Sequence, residues 1–243
     1  MRKASIARLL QPGAHALRAN WRAFVLIQAF AVAVTILYYQ WSSFAWAAGQ
    51  LAAWKDATGG WLFAAVSTVL AGYGLPWIAR RITRTPNLEP GRANLFFQLG
   101  FFSMVGLIVE GLYRFQTFLF GSDLNFATLA QKTIFDLGVF TPFFMSPLTL
   151  TLFAWKAANF QWRPVWEAWS ARFYMDRVVP LLIPNWAFWF PVLFCVYALP
   201  LDLQFCLFLL CFSAWSLLLV SISSQLGRAA MATDSGAVIP PTQ

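Results

Sequence analysis

The chain is poor in charge. Of its 243 residues, 11% are Asp, Glu, Lys or Arg, against roughly 25% in a soluble domain. It is equally poor in the side chains on which catalysis and metal binding depend. There is one histidine, His15, and there are three cysteines, Cys195, Cys206 and Cys211, with no CxxC or Cys/His spacing among them. Zinc and haem sites need more ligands than this, so no metal and no cofactor are expected. The sequence has no Ser/His/Asp set, no Gly-rich phosphate loop and no pair of acids on one helix. No catalytic residues are therefore expected, and the chain is not read as an enzyme. All three cysteines sit in apolar stretches, where a thiol packs as a small hydrophobe. Acids are missing altogether from residues 1–55.

What fills the chain instead is apolar. Hydrophobic residues make up 60% of it, with 25 Phe and 13 Trp. One soluble core of this length does not hide so much apolar surface, whereas a bilayer accepts it. A helical span takes roughly 20 predominantly apolar residues, and six candidates are present: Ala23–Trp54, Trp61–Ala79, Ala93–Val109 with a continuation through Tyr113, Thr133–Trp155, Val178–Leu201 and Leu203–Gly227. The first is longer than one crossing requires. The expected fold is an all-α integral membrane protein, a bundle of about six transmembrane helices with one interfacial amphipathic helix.

The basic residues fall between these spans in clusters and do not form the dense stripe that tracks phosphates, so no nucleic-acid partner is expected. Arg2, Lys3, Arg8, Arg18 and Arg22 precede the first span. Arg80, Arg81, Arg84 and Arg92 follow the second, and Lys156, Arg163, Arg172 and Arg177 follow the fourth. With Arg228 in the tail these place fourteen bases on one side, against Lys55, Arg114 and Lys132 on the other. That bias predicts both termini on the positive, cytoplasm-like or matrix-like side. The acid-free, arginine-rich start has two readings, as flanking charge for the first span or as part of a mitochondrial targeting segment. The tail, small, polar and Pro-containing, is expected to be disordered.

Polar groups inside spans are few. Asp136 is the foremost: an acid within a span usually faces protein or a water-filled cavity. Two readings stand, a functional acid or one that snorkels to water one turn from the interface, and Lys132, four residues earlier, is its expected partner. Glu110 and Asp202 lie nearer to expected span ends and fit the interfacial reading better. Glu110, Lys132 and Asn185 complete the polar candidates. Pro142 and Pro147 fall inside the fourth span, and Pro184, Pro191 and Pro200 punctuate the fifth. Each removes an amide donor and frees a carbonyl about one turn earlier. The kinks either shape a cavity or serve packing. After the fourth span, Trp162, Trp166, Trp169 and Phe173 recur at helical spacing and are expected on one face, lying in the headgroup plane or covering the bundle.

The carboxyl half is similar to the twenty-two-kilodalton peroxisomal membrane proteins and their mitochondrial inner-membrane relatives, the Mpv-type proteins. Asp136 and Pro142 reproduce the spacing of the family's Asp and Pro. Asn185-Trp186-Ala187-Phe188-Trp189, with Pro191 behind it, resembles its paired-Trp motif. Pro200 and Trp215 match its Pro and last-helix Trp, and Gly106 and Tyr113 match an upstream Gly and Tyr. Leu137 replaces the family's Gln after the Asp, Leu107 and Glu110 replace an upstream Pro and His, and apolar residues replace a Gln and an Asn within Phe190–Tyr197. The resemblance divides the chain into 1–60, a basic amino terminus with an extra span, 61–224, a family-like bundle, and 225–243, the tail. It implies channel-like passage of small solutes and a part in organelle homeostasis. Asp136 would then line the path, Pro142 and Pro191 would kink helices around it, and Trp186, Trp189 and Trp215 would set its depth. The alternative is a non-catalytic structural subunit or scaffold of a larger membrane complex. The partners expected are the bilayer, further copies of the chain or other membrane subunits. A bacterial or mitochondrial inner membrane suits the charge pattern better than a peroxisomal one.

Overall fold

The structure, a computed structural model, describes residues 2–82 and 91–217. Arg84 and the tail, including the expected disorder of 225–243, lie outside the described residues. Those described are almost entirely helical, and none forms a strand. The protein is an all-α, multi-pass membrane protein. Among the described residues, five helices are long and apolar enough to cross a bilayer: Trp21–Gln40 at the end of α1 (Arg2–Gln40), α3 (Gly60–Ile82), α4 (Arg92–Phe120), α5 (Phe126–Ala157) and α7 (Val179–Tyr197). Shorter helices are α2 (Ser42–Ala57), α6 (Trp162–Ala168) and α8, described over Leu201–Leu217.

The long first apolar stretch does not form one span. At Trp41 the backbone turns extended, with φ −125° and ψ 104°, and the chain continues as α2. The hydrogen bonds Trp41 N–H to Leu37 O and Ala45 N–H to Trp41 O hold both sides of the bend together. The next stop is chemical. The Thr58 hydroxyl donates to Trp54 O and Lys55 O, and Gly59 takes φ +71°, a left-handed value that a side chain would strain. Asn125 caps α5, its Oδ1 accepting from Thr128 N–H at 2.9 Å.

Two helix pairs carry the packing: α1 lies along α7, and α3 lies along α4. Between α1, α7 and α8, Phe24, Phe188, Trp189 and Trp215 interlock. Phe24 meets Phe188 edge-on at 5.3 Å, and Phe188 lies 4.5 Å from Trp215. The α3–α4 pair meets backbone to backbone at Gly106. A Cβ at Gly106 would collide with the Ala64 carbonyl and the Thr68 hydroxyl, the near-backbone contact that small residues permit in membrane bundles.

The amphipathic segment differs from its expected form. The helix breaks at Trp169, which turns extended, and restarts at Ser170, whose hydroxyl accepts from Phe173 N–H. Trp162 and Trp166 stack on one face of α6 at 5.9 Å, while Trp169 and Phe173 pair beyond the break at 5.6 Å. Trp162 also stacks on Trp155, and the Trp169 indole donates to the Thr151 hydroxyl, so the segment leans on the end of α5.

Replacing Gly106 with Ala forces α3 and α4 apart and should destabilise the protein by about 1–3 kcal/mol. Gly100, on the same helix, has nothing within 4 Å of an added Cβ. Gly100→Ala should therefore be neutral or should raise stability, by up to ~1 kcal/mol. Melting curves of the two variants in detergent check this.

Candidate functional site

Inside a bilayer a carbonyl without a donor costs several kcal/mol, so each one freed must find a partner within the protein. Residues Asp136–Met145 of α5 are π-helical. In that register each N–H bonds the carbonyl five residues earlier, as Ser146 N–H does to Thr141 O. Pro142 therefore leaves Leu137 O without its donor, and Pro147 does the same to Pro142 O. Both carbonyls are met from elsewhere. The Trp186 indole of α7 donates to Leu137 O at 2.9 Å, and the Tyr174 hydroxyl donates to Pro142 O at 3.1 Å. In α7 the register is α-helical, so Pro191 deprives Ala187 O, and the Gln28 amide of α1 donates to it at 2.8 Å. The expected kink residues are thus points of cross-linking between helices. Pro200 differs: it sits in the α7–α8 turn, its carbonyl accepting from Leu203 and Gln204 N–H.

Asp136 opens the π segment, about 15 Å along α5 from Phe126 at 1.5 Å per residue. It is buried in the bundle, at 6% exposure, and does not reach water at an interface. The Tyr197 hydroxyl donates to Oδ2 at 2.6 Å, and the Thr141 hydroxyl donates to Oδ1 at 3.1 Å. The π register brings Thr141 under Asp136, since residues five apart stack there. The expected Lys132–Asp136 pair does not form. Lys132 is buried and turns toward α4, its ammonium donating to Thr117 Oγ1 at 3.3 Å. Tyr113 packs edge-on against Tyr197 at 5.6 Å and is buried beside the acid.

Glu110 is buried as well, level with the start of α3. The third span runs to Phe120, beyond its expected end, so Glu110 lies inside α4 at 2% exposure. Its Oε2 accepts from Lys55 at 2.9 Å, and its Oε1 takes both Nε and Nη2 of Arg114, at 3.0 and 2.7 Å. Lys55 is itself buried, 5.5 Å over the Phe205 ring, and Arg114 lies 5.5 Å over Trp61. The carboxylate lies near Gly60, which opens α3, and a helix N-terminus favours negative charge. A charge cluster thus ties α2, α3 and α4 together at the end of the bundle where the α2–α3 turn lies.

The remaining candidates divide. Trp189 and Trp215 join Phe24 and Phe188 in the aromatic core, whereas Trp186 faces α5. Asn185 is half-buried and, among the described residues, takes no part in the bonds around Asp136. Sequence reading missed Tyr197, Thr141, Tyr174 and Gln28. Only their place inside apolar stretches marked Tyr197, Thr141 and Gln28, and nothing marked Tyr174 between Arg172 and Asp176, since their partners lie on other helices or depend on the π register. Two recesses among the described residues are open and apolar. One, of about 540 Å³, lies between α5 and α7 at Thr133, Leu137, Gly138 and Trp186. The other, of about 430 Å³, lies between α4 and α5 at Ile108, Gly111, Phe115 and Phe140.

Fold and site together define a multi-pass α-helical membrane protein with an acid held inside its bundle. No family model, no curated protein and no solved structure matches the chain.

Two measurements test the cross-links. Trp186→Phe orphans Leu137 O and should cost about 1–3 kcal/mol. In a Pro142→Ala background, which restores an amide donor, the same change should cost less. Glu110→Gln leaves Lys55 buried without its counter-charge and should lower stability by about 3–5 kcal/mol, while the apolar pair Lys55→Met with Glu110→Leu should lower it far less. Melting of the purified variants reports both.

Proposed function

We propose that this protein provides a passage for a small solute or ion across its membrane, with the Asp136 cluster as the polar contact on the path. One observation carries the reading: an acid deep in an apolar bundle is held by two neutral hydroxyls and, among the described residues, by no cation. A structural subunit needs no ionisable group there, because intramembrane acids are costly and recur along ion and proton pathways. The likeness to the Mpv-type proteins supports the same role, with Asp136, Pro142 and Trp186 in corresponding places. The structural link from Pro142 to Trp186 through Leu137 O gives those spacings a physical reason. The charge bias favours a bacterial or mitochondrial inner membrane with both termini on the positive side.

A second reading, a non-catalytic subunit of a larger membrane complex, is favoured by a different observation. The apolar groove between α4 and α5 is lined by Phe115, Phe135, Phe140, Phe143 and Phe144, a surface suited to a neighbouring span.

Planar-bilayer recordings of the wild type beside Asp136→Asn separate the two. Discrete openings with changed conductance or ion selectivity in the variant are expected. Silence from protein shown to be folded and inserted would overturn the permeation reading in favour of the subunit.

A further inference from the structure

Three buried polar atoms on α4 and α5 have no hydrogen-bond partner among the described residues: the Tyr113 hydroxyl, Gln116 Oε1 and Thr133 Oγ1. Their residues are 2%, 0% and 1% exposed, so bulk water does not satisfy them. They come from two facing helices at matching intervals. Tyr113 and Gln116 stand three apart on one face of α4, and Thr133 and Asp136 stand three apart on one face of α5. The helices meet there. The Gln116 amide donates to Lys132 O and lies beside the Tyr197 hydroxyl that bonds Asp136. Such orphaned groups in a low-dielectric interior are costly unless a bound ion or water meets them.

The chemistry of the set names the occupant. A carboxylate, an amide carbonyl and hydroxyls are hard oxygen donors, with no thiolate or imidazole among them, which excludes a preference for soft transition metals. The set carries one formal negative charge. A singly charged ion neutralises it, whereas a divalent ion leaves an uncompensated charge in the bundle. The nearby bases of the chain are committed elsewhere: Lys132 to Thr117, and Lys55 and Arg114 to Glu110.

We infer that Asp136, Tyr113, Gln116 and Thr133 together bind one alkali-metal cation. The inference rests on the permeation reading for its purpose and names the class of ion that would pass. Purified protein in detergent is melted while sodium chloride, and separately potassium chloride, replaces N-methylglucamine chloride at constant ionic strength. A saturable rise in melting temperature is expected with at least one alkali ion. Asp136→Asn should abolish it. Gln116→Leu and Thr133→Val keep the charge, carry the test if Asp136→Asn fails to fold, and should weaken the apparent affinity about tenfold or more. Lys132→Gln should retain the response. Identical melting in alkali and organic cations overturns the site, as does a rise that survives in Asp136→Asn. Saturable binding without conductance would overturn the permeation reading alone. Asp136-sensitive conductance without saturable binding would overturn the cation site alone.

Discussion

The fold depends on one constraint: three prolines in membrane spans each free a carbonyl that a side chain from elsewhere in the bundle satisfies. Pro142, Pro147 and Pro191 each remove a donor, and Trp186, Tyr174 and Gln28 each supply one. Those bonds tie α5 to α7, α5 to the segment before α7, and α7 to α1. Packing contacts between apolar helices in lipid gain little from the hydrophobic effect, because the tails are as apolar as the side chains. The directional bonds therefore carry much of the specificity that decides which helix lies against which. Asp136 belongs to the same arrangement, since the π register that orphans Leu137 O also places Thr141 beneath the acid.

The spans were legible because their signal is local. Apolar length and clustered basic charge mark helix ends without reference to any partner, and they located five crossings and the start of a sixth helix. What stayed hidden was tertiary. The bend at Trp41 follows no proline or glycine; Ala23–Trp54 looks uniform in sequence and parts into α1 and α2 only in three dimensions. The π segments leave no periodic trace of their own. The aromatic run from Trp162 to Phe173 has the right spacing for one face, but the helix ends at Trp169 and Ser170 caps a new start.

The site divides in the same way. Asp136 was visible because an acid inside an apolar run is rare, and Pro142 because its backbone chemistry is fixed. Tyr197 and Thr141 were not, since a hydroxyl in an apolar stretch acquires meaning only from what faces it. Lys132 was visible but drew the wrong inference. Four-residue spacing favours a pair on a regular helix, and here the lysine turns to Thr117 on the adjacent helix instead. Glu110 lies at the bundle end that Arg114 marked in the sequence, but buried among partners and not at water. Paired on the carboxylate and resting on Trp61, that arginine sits within a longer helix.

The contact at Gly106 bears on movement. With backbone against backbone and the charge cluster bracing one end, α3 and α4 form a stiff plate with no slack for sliding. The seam between this plate and α5 is of another kind, held by the side-chain bonds of Gln116 to Lys132 O and of Lys132 to Thr117. That seam passes Gln116, Thr133 and Asp136, so the polar groups lie where side chains, not backbones, separate the helices.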